Sequence, residues 1–378
     1  MAITSVFTWD PTTADYSSPS NWNPAFAPTD PSRTAIFGTS TITGITLPGA
    51  TTIEVGEWLF SPGASHYSFT EGASTSVRFY GGGILVLGGS AEITIPSGNT
   101  MIFLNSSTAG NASIANNGIV TFFGLSTGGT ANITNDHSIE FIEYSSAGHA
   151  RIETGSTGGI GFSGFSNGGD ATLVTDTGGI VDFSRSVGPA GDRHLSVGSI
   201  AGRGNYYLGS DQLVVGLDGK SPTVLGAIDD GNALGSGTGG GSLVKVGHDT
   251  LTLAGVGNTY SGGTTLEGGA LDLAALGAAG TGPIAFAGRA TLKIENAALS
   301  GHVFATNNID FFAKHDVLDL TGLHFHAGAT ATYHKASHHL TVHSGRVTDT
   351  LTLLAPHGTH FATASDHHGG TDVFLVFA

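Results

Sequence analysis

Gly110-Asn-Ala-Ser-Ile114, Gly129-Thr-Ala-Asn-Ile133, Gly148-His-Ala-Arg-Ile152 and Gly169-Asp-Ala-Thr-Leu173 repeat one pattern, Gly-x-Ala-x-(Ile/Leu), at steps of 19, 19 and 21 residues. A second anchor follows, Ile119/Phe122, Ile139/Phe141, Ile160/Phe162 and Ile180/Phe183, set in short alternating or apolar runs between Gly, Asn and Ser turns. Two or three short strands per coil cannot bury an apolar face alone. Stacked coils can, with Ile on Ile and Phe on Phe. The pattern therefore predicts an all-β fold, a right-handed parallel β-helix (solenoid) of about 20-residue coils. Gly110, Gly129, Gly148 and Gly169 are its expected turn residues, and Phe122, Phe141, Phe162 and Phe183 its core ladder. Leucine-rich repeats share the period, but the sequence lacks their Leu-x-x-Leu-x-Leu signature and any 3.6-residue helical pattern.

Working outward, residues 1–57 carry Trp9, Trp22 and the turn signals Asp10-Pro11, Asn23-Pro24 and Asp30-Pro31, and read as an N-terminal cap over the first coil. Residues 58–300 form the β-helix, in which Gly235–Gly241 reads as a linker or a turn between coils. Residues 301–378, with 12 of the 17 His, read as a small β-rich C-terminal module. Alternating runs flank Lys335-Ala336-Ser337-His338 there, which predicts a hairpin.

Composition narrows the function. With 60 Gly, 21 Phe and 39% hydrophobic residues, the chain turns often and has ample core material, which excludes a disordered polar chain. Thirteen Lys and Arg against a net charge of -16 argue against nucleic acid and anionic membrane surfaces as partners, and make anionic polymers poor ones. No apolar run reaches the ~18 residues of a membrane span, and no basic-then-apolar export signal is expected in MAITSVFTWDPTT. The absence of Cys fits a cytosolic protein or an exported bacterial one.

The stretch Ser242-Leu-Val-Lys-Val-Gly-His-Asp-Thr-Leu-Thr-Leu-Ala-Gly-Val-Gly-Asn-Thr-Tyr-Ser-Gly-Gly-Thr-Thr-Leu-Glu-Gly-Gly-Ala-Leu-Asp-Leu273 resembles the passenger-associated strand repeat of bacterial autotransporters and large extracellular adhesins. Asn105 to Gly118, Asn21-Trp22 and Trp58-Leu-Phe60 are similar to such passengers too, so that the resemblance covers residues 9 to about 295. It implies a secreted β-helix, extracellular or on the cell surface of a Gram-negative bacterium. Two departures from that family are expected, an export route without a Sec signal and one without an outer-membrane barrel. The end, Asp366 to Ala378, is similar to the uncleaved C-terminal signals of type I secretion substrates, which implies an ABC exporter as partner; a final core strand is the other reading.

Candidate sites concentrate in the C-terminal module. Strand alternation puts His324 and His326 on one face, and His334, His339 and His343 outward on the hairpin. If their nitrogens converge, they can hold Zn or another transition metal; otherwise they form a solvated face. Protonating all 17 His would move the charge from -16 to +1, so association could respond to mild acid. For Ca, the candidates are Asp229-Asp230 and Ser365-Asp366 near Asp372, short of the six to eight oxygens usually needed. Asp136, Glu140, Glu143, Glu153, Asp170, Asp176 and Asp182 are scattered with Arg151 and Arg185, and no Gly-x-Ser-x-Gly elbow occurs. No catalytic or cofactor-binding residue is nominated. The expected function is a secreted structural or adhesive surface or matrix protein, with itself as a partner in a filament or layer. The alternative is a β-helix that binds or degrades cell-surface or matrix polysaccharide.

Overall fold

The computed structural model describes residues 5–235 and 239–376. Residues 236–238 of the Gly235–Gly241 stretch and 377–378 of the export-signal-like end lie outside these. The chain is all-β, with about 13 turns of parallel β-solenoid, and divides into two compact units, Met1–Asp192 and Arg193–Ala378.

In the first unit one parallel sheet runs through Ser5–Trp9, Arg33–Phe37, Thr52–Phe60, Ser76–Val86, Thr100–Phe103, Ile119–Gly124, Ser138–Glu143, Gly159–Gly164 and Ile180–Ser186. A second runs through Gly44–Leu47, His66–Glu71, Ser90–Ile95, Ser113–Asn116, Asn132–Asn135, Arg151–Thr154 and Thr172–Thr175. Parallel pairing thus begins within the stretch read as a cap, at Ser5–Trp9 against Arg33–Phe37. Between those strands Tyr16 and Trp22 fold over the end of the stack. Trp22 Nε1 donates to Tyr16 O at 2.8 Å, and Trp58 Nε1 to Tyr16 Oη at 3.2 Å, so the buried rings keep their polar atoms paired.

The repeat explains the core rung by rung. Phe103, Phe122, Phe141, Phe162 and Phe183 stack at 4.8 to 4.9 Å with planes within 7 to 11°. Ile93, Ile114, Ile133, Ile152 and Leu173 align in register in the second sheet. The Ile of the second anchor needs correction. Period-two alternation from Phe122 places Val120 inside and Ile119 outside; Val120, Ile139, Ile160 and Val181 form the buried rung, while Ile119 and Ile180 face outward. The four glycines turn as expected, with φ of +59, +62, +65 and +62° at Gly110, Gly129, Gly148 and Gly169. A Cβ on Gly129 would lie 2.5 Å from Gly110 O, so the coils approach too closely there for any other residue.

In the second unit, Ser199–Gly202, Thr223–Val224, Thr250–Leu253, Gly269–Leu273, Ala290–Ile294 and Val317–Leu320 stack in parallel. His194–Val197, Gln212–Val215, Ser242–Lys245, Thr264–Leu266, Ile284–Phe286, Val303–Asp310 and Val347–Leu354 form the neighbouring sheet. Both sheets then reverse direction. Thr371–Leu375 joins Val317–Leu320 antiparallel and carries Phe361–Ser365, while Val347–Leu354 carries His339–Ser344 and then Thr330–His334. The hairpin predicted around Lys335–His338 is the last of these pairs.

Candidate functional site

Four successive coils of the first unit leave their strands through a residue in the left-handed region: Asn105, Gly124, Glu143 and Gly164, with φ from +58 to +76°. The turn throws the next side chain outward and returns the following one inward. Ser107, Ser126, Ser145 and Ser166 are accordingly buried, and Leu125, Tyr144 and Phe165 stand outside, 66, 52 and 37% exposed. Tyr144 and Phe165 stack at 4.6 Å, 4° from parallel. Phe123, whose register neighbour is Ile142, adds to this outward apolar column. The column was legible in principle, because a bulky residue precedes the buried Ser at the same steps as the glycines.

On another face of this unit a cleft of about 230 Å³ is lined by Asp136, Glu153 and Asp176 with Thr134, Thr154 and Gly155. The Asp136 carboxylate sits over Gly155, leaving no room for a Cβ. Arg151 pairs with Glu153 at 2.5 Å. Glu140 faces Arg185 at 3.4 Å, and Asp170 faces His149 at 3.4 Å. Three of the scattered carboxylates thus line one cleft, while Glu140 is engaged by Arg185 and Asp170 lies beside an imidazole.

The five candidate histidines of the C-terminal module fall into three places. His324 and His326 lie in an irregular connection rather than on a strand, both exposed, with ring centroids 5.0 Å apart; His324 Nδ1 is 2.8 Å from Gly369 O. The expected strand fails there because Phe325 N and the backbone of His324 and His326 bond to Gly369 and Ser344 rather than to a ladder. His334 and His339 face each other across the hairpin turn, and His343, farther along, has Nδ1 2.6 Å from Thr348 Oγ1. Among the described residues no group of three or more His, Cys, Asp or Glu is placed to hold a metal ion. The carboxylates considered for Ca serve turns. Asp230 accepts from Ser261 N, Ser261 Oγ and Gly240 N, Asp229 bonds Thr259, and Asp366 accepts from His368 N at 2.7 Å and Gly370 N at 2.8 Å. Asp372 faces Asp319 across the paired strands.

The strands Ser242–Lys245, Thr250–Leu253, Thr264–Leu266 and Gly269–Leu273 make consecutive rungs of two adjoining sheets in the second unit, with Leu243, Leu251, Leu253, Leu266, Leu271 and Leu273 inside. This is the segment matched by a family model. Residues 243–273 match the passenger-associated-transport-repeat. No curated protein matches the chain. Among the described residues no helix is long and apolar enough to cross a membrane. The repeat fits a secreted or surface protein of Gram-negative bacteria. Together with the parallel solenoid that carries it, the match fits an autotransporter-passenger-like β-helix repeat protein.

Proposed function

We propose that the protein is an adhesive surface or matrix protein, which works by presenting the outward side of its coils to polysaccharide. The outward column of Leu125, Tyr144 and Phe165 carries this reading. Nothing in the coil geometry requires aromatic rings at positions that turn away from the core, and stacked flat apolar rings facing water mark a contact surface. Their stacked edges form an apolar strip against which the C–H faces of pyranose rings can pack, and the solenoid holds the strip largely preordered. Filament or layer formation is the less favoured form of the same role. The outer strands of the two C-terminal hairpins meet in one bridge, Thr332 to His360, which engages part of both edges.

The test is retention of the full chain on insoluble neutral glucans, compared with a Tyr144→Ser, Phe165→Ser double variant. These exposed changes should leave the unfolding temperature close to that of the wild type while weakening retention about tenfold or more, some 1.4 kcal/mol. Equal retention would sink adhesion through this column. The cleft of Asp136, Glu153 and Asp176 favours a second reading, polysaccharide cleavage. On that reading the wild type releases reducing ends, and Glu153→Gln stops the release without affecting retention.

A further inference from the structure

In the second unit a cleft of about 500 Å³ is lined by Phe286, Arg289, Phe311, Lys314, Asp316 and His357. Its size lies within the ~300–1,000 Å³ of small-ligand sites. Six other cations, Arg78, Arg151, Arg185, Arg193, Lys220 and Lys293, are paired with carboxylates. Arg289 is exposed and in no ion pair among the described residues. Asp316 does not cancel it simply. That carboxylate is 2% exposed and turned into the wall, accepting the N–H of Ala313 at 2.8 Å and of Ala290 at 3.4 Å. Burial also pushes its pKa up, against the pull of those N–H groups and of His357 and His315.

The cleft is held in shape. Asp316 ties the loop after Phe311 to the strand beginning at Ala290, and His357 N donates to Phe312 O at 2.9 Å on the other side. Phe286 forms an apolar floor, edge-on to Phe312 at 5.2 Å. Two side-chain-bearing residues of this loop, Phe311 and His315, adopt φ of +57 and +77°, a conformation that costs about 1–2 kcal/mol each. Such strain gathers where a side chain must be aimed. At Phe311 it leaves a large apolar ring 48% exposed beside the cleft.

We propose that this cleft binds a hexuronate residue of an acidic polysaccharide. The planar Arg289 fork suits a carboxylate bidentately, Lys314 adds a second positive charge, and Phe311 offers its ring to the apolar face of the sugar. The net charge of -16 does not forbid this, because charges beyond about 8–10 Å are largely screened at physiological salt. What matters is the local arrangement. The site is independent of the Tyr144 column, so each reading can fail alone.

Titration calorimetry of the full chain with a galacturonic acid trimer, a galactose trimer and inorganic phosphate tests the proposal. The uronate trimer should bind at least tenfold more tightly than the neutral one. Arg289→Gln and Lys314→Gln should each weaken it severalfold or more, as should Phe311→Asn, a residue that tolerates the left-handed backbone. The Tyr144→Ser, Phe165→Ser variant should bind it unchanged. Circular dichroism identifies any variant that misfolds, and the remaining ones carry the decision. Absence of uronate binding, or binding indifferent to Arg289→Gln and Lys314→Gln, overturns the proposal. So does phosphate binding as tightly as the trimer with no effect of Phe311→Asn, which would make the cleft a site for charge alone.

Discussion

The coils from Phe103 to Phe183 in the first unit and those from Leu251 to Leu320 in the second stack in the same parallel manner with different side chains. In the first, one aromatic ring repeats at steps of 19 to 21 residues and each ring lies flat on the next. In the second, Leu251, Leu271, Leu292 and Leu318 align, as do Leu253, Leu273, Ile294 and Leu320, at steps that lengthen to 26 residues. Flexible aliphatic chains fill a rung without fixing its orientation, whereas stacked rings demand parallel planes at each step. Coil length varies under both, since Phe79 stacks on Phe103 at 5.0 Å and 11° across 24 residues. From Phe103 to Phe183 the first unit is the more repetitive in sequence, and the second carries the loops that shape the Arg289 cleft.

Substitutions in the two cores should break this comparison most strongly. Phe141 lies between Phe122 at 4.8 Å and Phe162 at 4.9 Å. Phe141→Ala should cost about 3–5 kcal/mol, and Phe141→Leu still about 1–3 kcal/mol, because two ring contacts worth about 0.5–1.5 kcal/mol each are lost. Leu292→Met in the second unit should cost under about 1.5 kcal/mol. Urea unfolding measures all three. A Phe141→Leu variant no less stable than Leu292→Met would mean that the rings act only as volume.

Glycine turns offer a sharper contrast of smaller size. Gly129 and Gly277 have φ of +62 and +73°, yet a Cβ on Gly129 meets Gly110 O at 2.5 Å and one on Gly277 meets nothing within 4 Å. Backbone strain alone should make Gly277→Ala cost about 1 kcal/mol, whereas Gly129→Ala should cost about 2–3 kcal/mol because neighbouring coils must part. Equal losses in thermal unfolding would show that coil spacing yields freely.

The same contrast explains what the sequence discloses. Phe122, Phe141, Phe162 and Phe183 were legible because one residue type recurs at the coil period, and Gly110 to Gly169 because close approach leaves a single choice. The Ile rung was set wrongly at Ile119 and Ile180, since Val120 and Val181 are adjacent and apolar and only strict alternation from Phe122 and Phe183 separates inside from outside. Leu125, Tyr144 and Phe165 share a coil position but not a residue type, and outward positions carry no packing rule that draws attention to them. The cleft was not legible. Phe286, Arg289, Phe311 and His357 come together only because loops of unlike length end beside one another, and the whole-chain charge obscures a local cluster. For the histidines, alternation along a strand says which way a side chain points, but His324 and His326 left the ladder for bonds to Ser344 and Gly369.

Buried carboxylates separate the two units by pH. In the first, Glu71 accepts from Asn99 Nδ2 at 3.0 Å, its other oxygen finds no partner, and burial pushes its pKa up to about 8. In the second, burial and the facing Asp372 push Asp319 up to about 6, against the opposing pull of Lys293 at 3.6 Å. Both groups bind more protons folded than unfolded. The stability they contribute is full below their ordinary values and is lost as pH rises, through about 8 for Glu71 and about 6 for Asp319. Glu71→Gln should therefore match the wild type near pH 4 and exceed it at pH 8.5 by several kcal/mol, about 1.4 kcal/mol for each pH unit between the two pKa values, with the advantage still growing above pH 7. Asp319→Asn should gain less, and its gain should be complete by pH 7. Comparing each variant with the wild type at the same pH removes the shared titration of the other groups. If both advantages grow over one common pH interval, the two units do not differ in how they hold a buried charge.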